Sequence, residues 1–489
     1  MKREQKHFER KHDGATQVRP DRDDSWIDQE LIKAGEFRDV RLGKRFRRLV
    51  QQLAEGVGES IPWACQDWAN TKAAYRFFSN VRVSQERILA GHFQSTRERL
   101  PAGESPILVV HDTTEFSYKR EDTAAIGLVS KGAVRKDGQG RPMFFTTCGI
   151  CLHSSLAVTA QGLPLGLAAV KFWSRKEFKG RQRRRKAHTA PIEEKESMRW
   201  LENLRKSSQG LGQPWRCIHV GDQESDIYDL LGAARQIGTH FLIRTRADRL
   251  ADGGPKTVAE KIHQSPRRGL YRITIRDQQG MVAEVALEIR YRRLQIQSPK
   301  GKKRRYPALM VTVIEARERG TPQGRDRIDW KLITDLPVGS RQDAIEKVQW
   351  HALRWKIEMF HKILKSGCRA EQAKLRTAAR LVNLLAVLCI LSWRIFWLTM
   401  MNRIAPNLRP GLVFTPLELQ VLDRVVRDKP DADDHRRSLS RYLIKLAQLG
   451  GYLARNSDPP PGNMVIWRGL SRLVDIELGV MIGAQLVGN

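Results

Sequence analysis

The sequence predicts an α/β protein with more than one domain, on three observations. Continuous apolar runs, typical of strands buried on both faces, occur in PILVVHD (106–112) and CIHVGD (217–222). A helix-like stretch, IEEKESMRWLENLRK, lies between them. The length of 489 residues exceeds that of one compact domain.

Composition divides the chain into four parts. Residues 1–24 are charged and nearly free of large apolar side chains, which predicts a flexible basic lead. Residues 25–95 show helical patterns and predict a helical domain. Residues 96–385 are predicted to form the α/β domain, and residues 386–489 a helical C-terminal region.

The α/β part contains a stretch of different character at about 248–328. YRITIRDQQGMVAEVALEIRYRRLQI alternates apolar and polar residues, a turn signal follows Gln279, and the basic run PKGKKRRY precedes ALMVTVIEA. This pattern predicts a β-rich antiparallel insertion with a basic loop.

The charge points to a polyanionic partner. The chain has 86 Lys and Arg against 54 Asp and Glu, a formal net charge of +32. Nucleic acid is the commonest such partner, and we expect double-stranded DNA. Arg45, Arg47 and Arg48 flank an apolar stripe and could form a DNA-binding face, although a solvated helix face would look the same locally.

Membrane insertion is not expected. MKREQKHFERKHDGATQ lacks the apolar region of a signal peptide. The apolar run 381–401 contains Asn383 and Arg394, which favours a buried core helix over a membrane span. We therefore expect a cytoplasmic protein without a membrane partner, and keep a membrane-surface protein as a distant alternative.

Cysteine usage and phosphate-loop motifs restrict the function further. Six scattered cysteines fit a reducing compartment, and the lone Cys148-x-x-Cys151 is interpreted as a buried strand or turn rather than a metal or redox site. The sequence has no GxxxxGK[ST] loop, which argues against an ATP-driven motor.

Two aspartates occupy positions where catalytic residues often collect. Asp112 and Asp222 each end one of the apolar runs. Functional side chains of α/β sheets gather where strands end, whereas a lone Asp often only ends a strand or caps a helix.

A third carboxylate lies in WHALRWKIEMFHKILKSG. At about 100° per residue, one continuous helix would place five polar residues on one stripe. They are His351, Arg354, Glu358, His361 and Lys365. Because Trp355, Met359, Phe360, Ile363 and Leu364 would cover the rest, we expect a mostly buried helix whose polar stripe faces a cleft.

The three carboxylates could meet as a metal site. Two Mg²⁺ or Mn²⁺ ions held by Asp112, Asp222 and Glu358 would suit phosphodiester cleavage, since magnesium prefers oxygen ligands. Arg354 and Lys365 would then lie along DNA phosphates.

These residues stand in motifs that resemble the bacterial cut-and-paste DDE transposases of the insertion-sequence-4 family, most closely the transposon-5 type. HDTTEFSY contains Asp112, and VGDQESDIYDL contains Asp222 in a D-x-E-x-D block. RWKIEMFHKILKSG carries Arg354, Glu358 and Lys365 of the Y-x2-R-x3-E-x6-K signature. EKESMRWL, NTKAAYRFFSN and QLGGYL are also similar to family segments, so the resemblance extends from about residue 25 to the C-terminal region.

The resemblance implies an RNase H-like catalytic core. It also implies a metal-dependent transposase that nicks the transposon end, forms and reopens a DNA hairpin, and joins the 3′-hydroxyl to target DNA. Two protomers would pair two ends, with the C-terminal helices in the dimer contact.

The resemblance also implies DNA contacts beyond the carboxylates. Trp330 matches a tryptophan that stacks on a flipped base, Arg244 matches a phosphate-binding arginine, and Lys374 is a further candidate DNA contact. His351 replaces the signature tyrosine, which together with the arginine holds a phosphate. An imidazole can donate to phosphate, more strongly when protonated, so the contact would acquire a different pH dependence.

Two alternatives remain open at this point. A nuclease of the same fold would cleave without forming strand-transfer products. A non-catalytic DNA-binding regulator, such as a transposition inhibitor, would bind DNA without metal-dependent cleavage.

Overall fold

A computed structural model describes most of the chain. The described ranges are 26–31, 37, 39–120, 122–136, 142–177, 190–276, 282–299, 306–322, 324–427 and 438–487. The predicted basic lead, the turn after Gln279 and most of the basic loop in PKGKKRRY lie outside the described residues.

The N-terminal region is helical, as predicted. Its helices are α1 (Trp26–Leu31), α2 (Val40–Glu55), α3 (Ile61–Cys65), α4 (Trp68–Ser79) and α5 (Gln85–Glu98). Side chains of Asp39, Asp67 and Ser84 accept hydrogen bonds from backbone N–H groups in the first turns of α2, α4 and α5. The apolar stripe of α2, which includes Phe46 and Leu49, is buried.

The central part is built on a mixed sheet. Its elements are β1 (Ile107–Ser117), β2 (Leu128–Lys136), β3 (Pro142–Thr159), β4 (Pro164–Trp173), α6 (Met198–Leu211), β5 (Cys217–Gly221), α7 (Tyr228–Ile237) and β6 (His240–Arg244). The strand order is β4-β3-β1-β5-β6, with β3 antiparallel to β1 and β4, and with β1, β5 and β6 parallel. This arrangement fits the RNase H-like core and confirms the predicted fold class.

The predicted insertion is antiparallel and continues the same sheet. It contains α8 (Val258–His263), β7 (Gly269–Arg276), β8 (Val282–Ile296) and β9 (Leu309–Glu318), followed by β10 (Asp329–Thr334). β10 pairs with β6 on one side and β9 on the other, so the insertion extends the core sheet rather than standing apart from it.

The C-terminal part is helical. It contains α9 (Arg341–Ala352), α10 (Trp355–Lys362), a π-helical turn (Ile363–Gly367), α11 (Ala378–Ile404), α12 (Pro416–Val425), α13 (Leu439–Leu449) and α14 (Asn463–Val487). The predicted domain limits at 95/96 and 385/386 fall inside α5 and α11, so neither marks a break between elements.

The apolar run 381–401 belongs to the buried helix α11. This helix is long and apolar enough to cross a membrane, yet 89% of its most apolar 18-residue stretch is buried inside the protein. Asn383 donates to the carbonyl groups of Phe78 and Val83, and Arg394 donates to that of Val413. The two polar residues therefore satisfy backbone groups inside the core, which confirms the predicted core helix.

The CxxC pair is also part of the core. Cys148 and Cys151 lie on β3 as buried free thiols. Burial raises the pKa of the Cys151 thiol to about 11, which disfavours the reactive thiolate. The interpretation of this motif as a buried strand is confirmed.

A buried ionic node attaches the N-terminal helices to the core. Glu30 of α1 is 6% exposed and lies 2.6 Å from Arg99 Nη1 and 2.6 Å from His92 Nδ1. Trp393 of α11 donates its indole N–H to the same carboxylate at 3.2 Å. Burial acts to raise the pKa of Glu30, but Arg99 and His92 together lower it to about 2.

Removal of the Glu30 charge should weaken the fold. We expect Glu30→Gln to lower the free energy of unfolding by about 3 kcal/mol, because Arg99 is left without its buried anion. Chemical denaturation at pH 7 measures this change. The exposed Glu98 of α5 provides the control, since Glu98→Gln should change the unfolding free energy by less than about 0.5 kcal/mol.

The loss of stability in Glu30→Gln should depend on pH. The folded-state pKa of Glu30 lies below the ordinary value of 4.5, so its stabilisation is present above that pH and is lost as the pH falls toward about 2. The difference in the free energy of unfolding between wild type and Glu30→Gln should therefore decrease as the pH falls from 4.5 toward about 2. A difference in unfolding free energy that is small at pH 7, or that does not change with pH, would show that the Glu30 carboxylate does not stabilise the fold.

Candidate active site

Asp112 and Asp222 lie level on neighbouring parallel strands. Val110 of β1 is paired with Val220 of β5, and each aspartate follows two residues later. Asp112 is within β1, whereas Asp222 directly follows β5. The register therefore places the two aspartates at the same level of the sheet, although only Asp222 lies at a strand end.

The chain turns sharply after β5, which defines the position of Asp222. The Asp222 side chain accepts a hydrogen bond from the Glu224 N–H at 2.9 Å and caps a 3-10 turn. Gly221 is required at this point, because a Cβ there would collide with the Ser225 side chain. Ser225 Oγ in turn donates to the Asp222 carbonyl group at 2.6 Å.

The last aspartate of the D-x-E-x-D block has a structural role. Asp226 has a fully buried side chain that pairs with Arg249 at 2.6 Å. It also accepts hydrogen bonds from the backbone N–H groups of Arg246 and Ala247, both at 2.7 Å. Asp226 thus joins the turn after β5 to the loop after β6.

Glu358 reaches the same region through Arg354. Arg354 Nη2 lies 2.5 Å from Glu358 Oε1, and Arg354 Nη1 lies 4.0 Å from Asp112 Oδ2. The guanidinium therefore stands between two of the three predicted metal ligands. His361, also on α10, lies 3.7 Å from Asp112 through Nδ1 and is held at Nε2 by Ser154 at 2.7 Å.

The three carboxylates have the chemistry of a magnesium site without being gathered into one. The part of the chain that the structure describes contains no group of three or more His, Cys, Asp or Glu side chains that could hold a metal ion. All three are oxygen donors, which Mg²⁺ prefers, and the Asp112 and Glu358 side chains are 20% and 52% exposed. Glu358 is engaged by Arg354, so a metal site requires this ion pair to open.

The prediction of one continuous helix from His351 to Lys365 is wrong. α9 ends at Ala352, α10 begins at Trp355, and the chain then passes into the π-helical turn Ile363–Gly367. A spacing of 100° per residue therefore does not relate His351 to Lys365.

The break in the helix also changes which side chains are buried. Trp355, expected on the buried face, is 39% exposed, whereas Lys356 is only 4% exposed. Burial, together with the charge of the neighbouring Arg403, lowers the pKa of Lys356 to about 8. Arg354 and Glu358 stay on one stripe, as predicted, because both lie on the first turn of α10 and its N-terminal flank.

Lys365 and Lys374 occupy separate positions beyond α10. Lys365 Nζ lies 5.8 Å from the centre of the Phe116 ring at the end of β1. Lys374 is exposed on the segment that follows the π-helical turn. Glu371 fixes this segment to β1 by accepting a hydrogen bond from the Ser117 N–H at 2.7 Å.

Trp330, His351 and Arg244 form one cluster near the carboxylates. The rings of Trp330 and His351 are 5.6 Å apart in a T-shaped arrangement. Arg244 ends β6 and donates to the Asp329 carbonyl group at 3.4 Å. Trp330 lies on β10 and is partly buried against the main hydrophobic core, so the sheet positions this ring beside α9.

His351 differs electrostatically from the tyrosine of the signature. It is 5% exposed, and among the described residues neither ring nitrogen has a hydrogen-bond partner. Burial, together with the charges of Arg354 and Arg244, lowers the pKa of His351 to about 3. The ring is therefore neutral near pH 7, and its contact with phosphate stays a prediction.

Arg199 also contacts this site, although no motif of the sequence assigns it a role. This residue of EKESMRWL donates from Nε to Thr113 Oγ1 at 3.2 Å and pairs with Glu224 at 2.8 Å. No spacing rule could have found these contacts, because they join residues that are far apart in the chain. The only sequence signal was the resemblance of the segment.

The predicted basic face of α2 is partly engaged in local contacts. Arg45 donates to Asn70 at 3.1 Å, and Arg47 pairs with Asp28 at 2.6 Å. Arg48 is exposed on the same helix.

The comparison with known protein families concerns this N-terminal region. Residues 23–83 match the family described as transposase DNA-binding. The match covers α1 to α4 and supports DNA as a partner of the chain.

Proposed function

We propose that the protein is a metal-dependent DNA transposase of the insertion-sequence-4, transposon-5 type. It would cleave DNA at transposon ends through a hairpin intermediate and transfer the 3′-hydroxyl to target DNA. The observation that carries the proposal is the level placement of Asp112 and Asp222 on parallel strands, beside Arg354 and Glu358. The transposase DNA-binding match at residues 23–83 supports it independently.

Asp112, Asp222 and Glu358 are the residues that would hold the metal. Two Mg²⁺ or Mn²⁺ ions held there would supply an activated water and would stabilise the departing oxygen of the phosphodiester. His361 and Ser154 would keep the Asp112 carboxylate oriented from the side of α10.

Arg354 connects DNA binding to this site. A guanidinium matches phosphate with two parallel hydrogen bonds, at least as well as it matches a carboxylate. A DNA phosphate that takes over Arg354 would release Glu358 and remove the cation beside Asp112. The carboxylates would then become available for metal only when the substrate is in place.

The remaining cations would follow the DNA backbone. Lys365 and Arg354 would hold phosphates near the cleaved bond, with Arg244 and Lys374 further along the strand. His351 would take part as a neutral donor with a single N–H. Its low pKa predicts no titration of this contact between pH 5 and 8.

Trp330 would receive a base flipped out of the duplex. Extrusion of a base costs a few kcal/mol, and stacking on an aromatic face recovers part of that cost. The ring now packs against His351 and must expose a face to the base. The hairpin step would depend on this stacking because the strained turn of the DNA leaves the base unpaired.

Two protomers would act together on two transposon ends. By resemblance, the C-terminal helices α11 to α14 would contribute to the homodimer contact, and the protein would act in the bacterial cytoplasm on nucleoid DNA. α11 is largely buried within the protomer, so a dimer contact would fall to the later helices.

The cleavage assignment predicts the effect of Asp112→Asn. The amide keeps the size of the side chain and removes its charge, so we expect loss of Mg²⁺-dependent nicking by at least about 100-fold with DNA binding retained. The assay is cleavage of linear DNA that carries the terminal inverted repeats flanking the gene. Gel-shift titration of the same DNA measures binding.

The matched control is Asp326→Asn, an exposed carboxylate in the loop before β10, which should cleave at the wild-type rate. Wild-type cleavage by Asp112→Asn would show that the metal assignment is wrong. Cleavage without strand-transfer products in the wild type would favour the nuclease alternative.

The stacking assignment predicts a selective defect in Trp330→Ala. We expect hairpin formation to fall by about tenfold or more relative to first-strand nicking, since only the hairpin step needs the flipped base. Denaturing gels that resolve nicked, hairpin and joined products measure the ratio. Exposed Trp215 serves as the control, and an equal loss of nicking and hairpin in Trp330→Ala would exclude the base-flipping role.

A further inference from the structure

The Arg199 guanidinium lies over two tryptophan rings. Arg199 lies on α6 with 12% of its side-chain surface exposed. Its guanidinium carbon is 5.4 Å from the centre of the Trp173 ring and 5.8 Å from that of Trp200. Such stacking holds the planar group in one orientation at little entropic cost, which an ammonium group could not reproduce.

Each edge of this guanidinium contacts a different part of the site. Nε donates to Thr113 Oγ1 at 3.2 Å, and Nη2 lies 2.8 Å from Glu224 Oε2. Thr113 directly follows Asp112 on β1, and Glu224 is two residues beyond Asp222. Nη1 donates to the Glu196 carbonyl group at 3.1 Å, which ties the guanidinium to the turn that precedes α6.

The contact with Thr113 has a defined direction. Because Arg199 Nε can only donate, the Thr113 hydroxyl is free to donate its own proton to His153 Nδ1, 2.9 Å away. His153 is fully buried, and burial holds its pKa well below the ordinary value, so it is neutral and can accept. The Thr113 hydroxyl therefore has one preferred orientation, in which it accepts from Arg199 and donates to His153.

We propose that Arg199 is a positioning residue that sets the separation of Asp112 and Asp222. This inference rests on the proposed function, because it concerns the same two carboxylates. Arg199 acts through Thr113 and Glu224 and does not touch the DNA, since its donors are directed to three protein acceptors. Metal geometry at the two aspartates therefore depends on a residue outside the ligand set.

Arg199→Lys tests the bridge while keeping the charge. A lysine cannot hold Thr113 and Glu224 together, and loss of such supporting contacts typically costs about 10- to 100-fold in metal affinity or activity. We expect the Mg²⁺ concentration for half-maximal cleavage to rise by about tenfold, with end-DNA binding within about twofold of wild type. Mg²⁺ demands near-ideal geometry, so Mn²⁺ should restore more activity than Mg²⁺.

Metal binding provides a readout besides activity. Mn²⁺ titration of the full chain bound to uncleavable end DNA, followed by electron paramagnetic resonance, should show about tenfold weaker binding in Arg199→Lys. The matched control is Arg205→Lys, an exposed position on the same helix, which should behave as wild type. Equal metal affinities for wild type and Arg199→Lys would overturn the proposal.

A second variant keeps the test valid if Arg199→Lys folds poorly. Glu224→Gln removes the other end of the bridge at an exposed position. If Arg199 acts through Glu224, the double variant should lose little more metal affinity than either single variant, whereas fully additive losses would overturn the proposal. A wild-type protein that binds end DNA but shows no metal-dependent cleavage would instead reject the proposed function.

Discussion

One ion pair organises the site: the Arg354 guanidinium stands 2.5 Å from Glu358 and 4.0 Å from Asp112. The sheet contributes one of these carboxylates and α10 the other, so the cation links α10 to β1. Both partners are partly exposed, with 22% and 52% of the Arg354 and Glu358 side chains accessible. Exposed pairs contribute about 0–1 kcal/mol to stability, so this contact can be exchanged for a phosphate at low cost.

The buried charges of the molecule behave in the opposite way. Glu30 with Arg99, and Asp226 with Arg249, are enclosed by protein and cannot separate without a large desolvation cost. They hold the DNA-binding helices and the turn after Asp222 in place. Arg199 is intermediate, since its side chain lies against the indole rings and is only 12% exposed, while 58% of the Glu224 side chain is exposed. Rigid support around one exchangeable pair is an arrangement suited to a site that assembles on its substrate.

Sequence patterns predicted the architecture well because burial follows local composition. The runs PILVVHD and CIHVGD became β1 and β5, which pair in parallel and place Asp112 and Asp222 at the same level, although β1 continues past Asp112 to Ser117. The prediction for the helix that contains Glu358 was wrong in detail. A uniform rotation of about 100° per residue contains no information about the break after Ala352 or the π-helical turn at Ile363. The environment of His351 was equally hidden, because its neutral state depends on burial beside Trp330 and two arginines.

Mn²⁺ titration with and without DNA decides whether Arg354 exchanges Glu358 for a DNA phosphate. The full-length wild-type chain would be titrated by electron paramagnetic resonance, alone and with an uncleavable end duplex. We expect Mn²⁺ affinity to be at least about tenfold higher with DNA, and Arg354→Gln to bind Mn²⁺ more tightly than wild type when DNA is absent. Equal affinities with and without DNA, together with no gain in Arg354→Gln, would contradict the account.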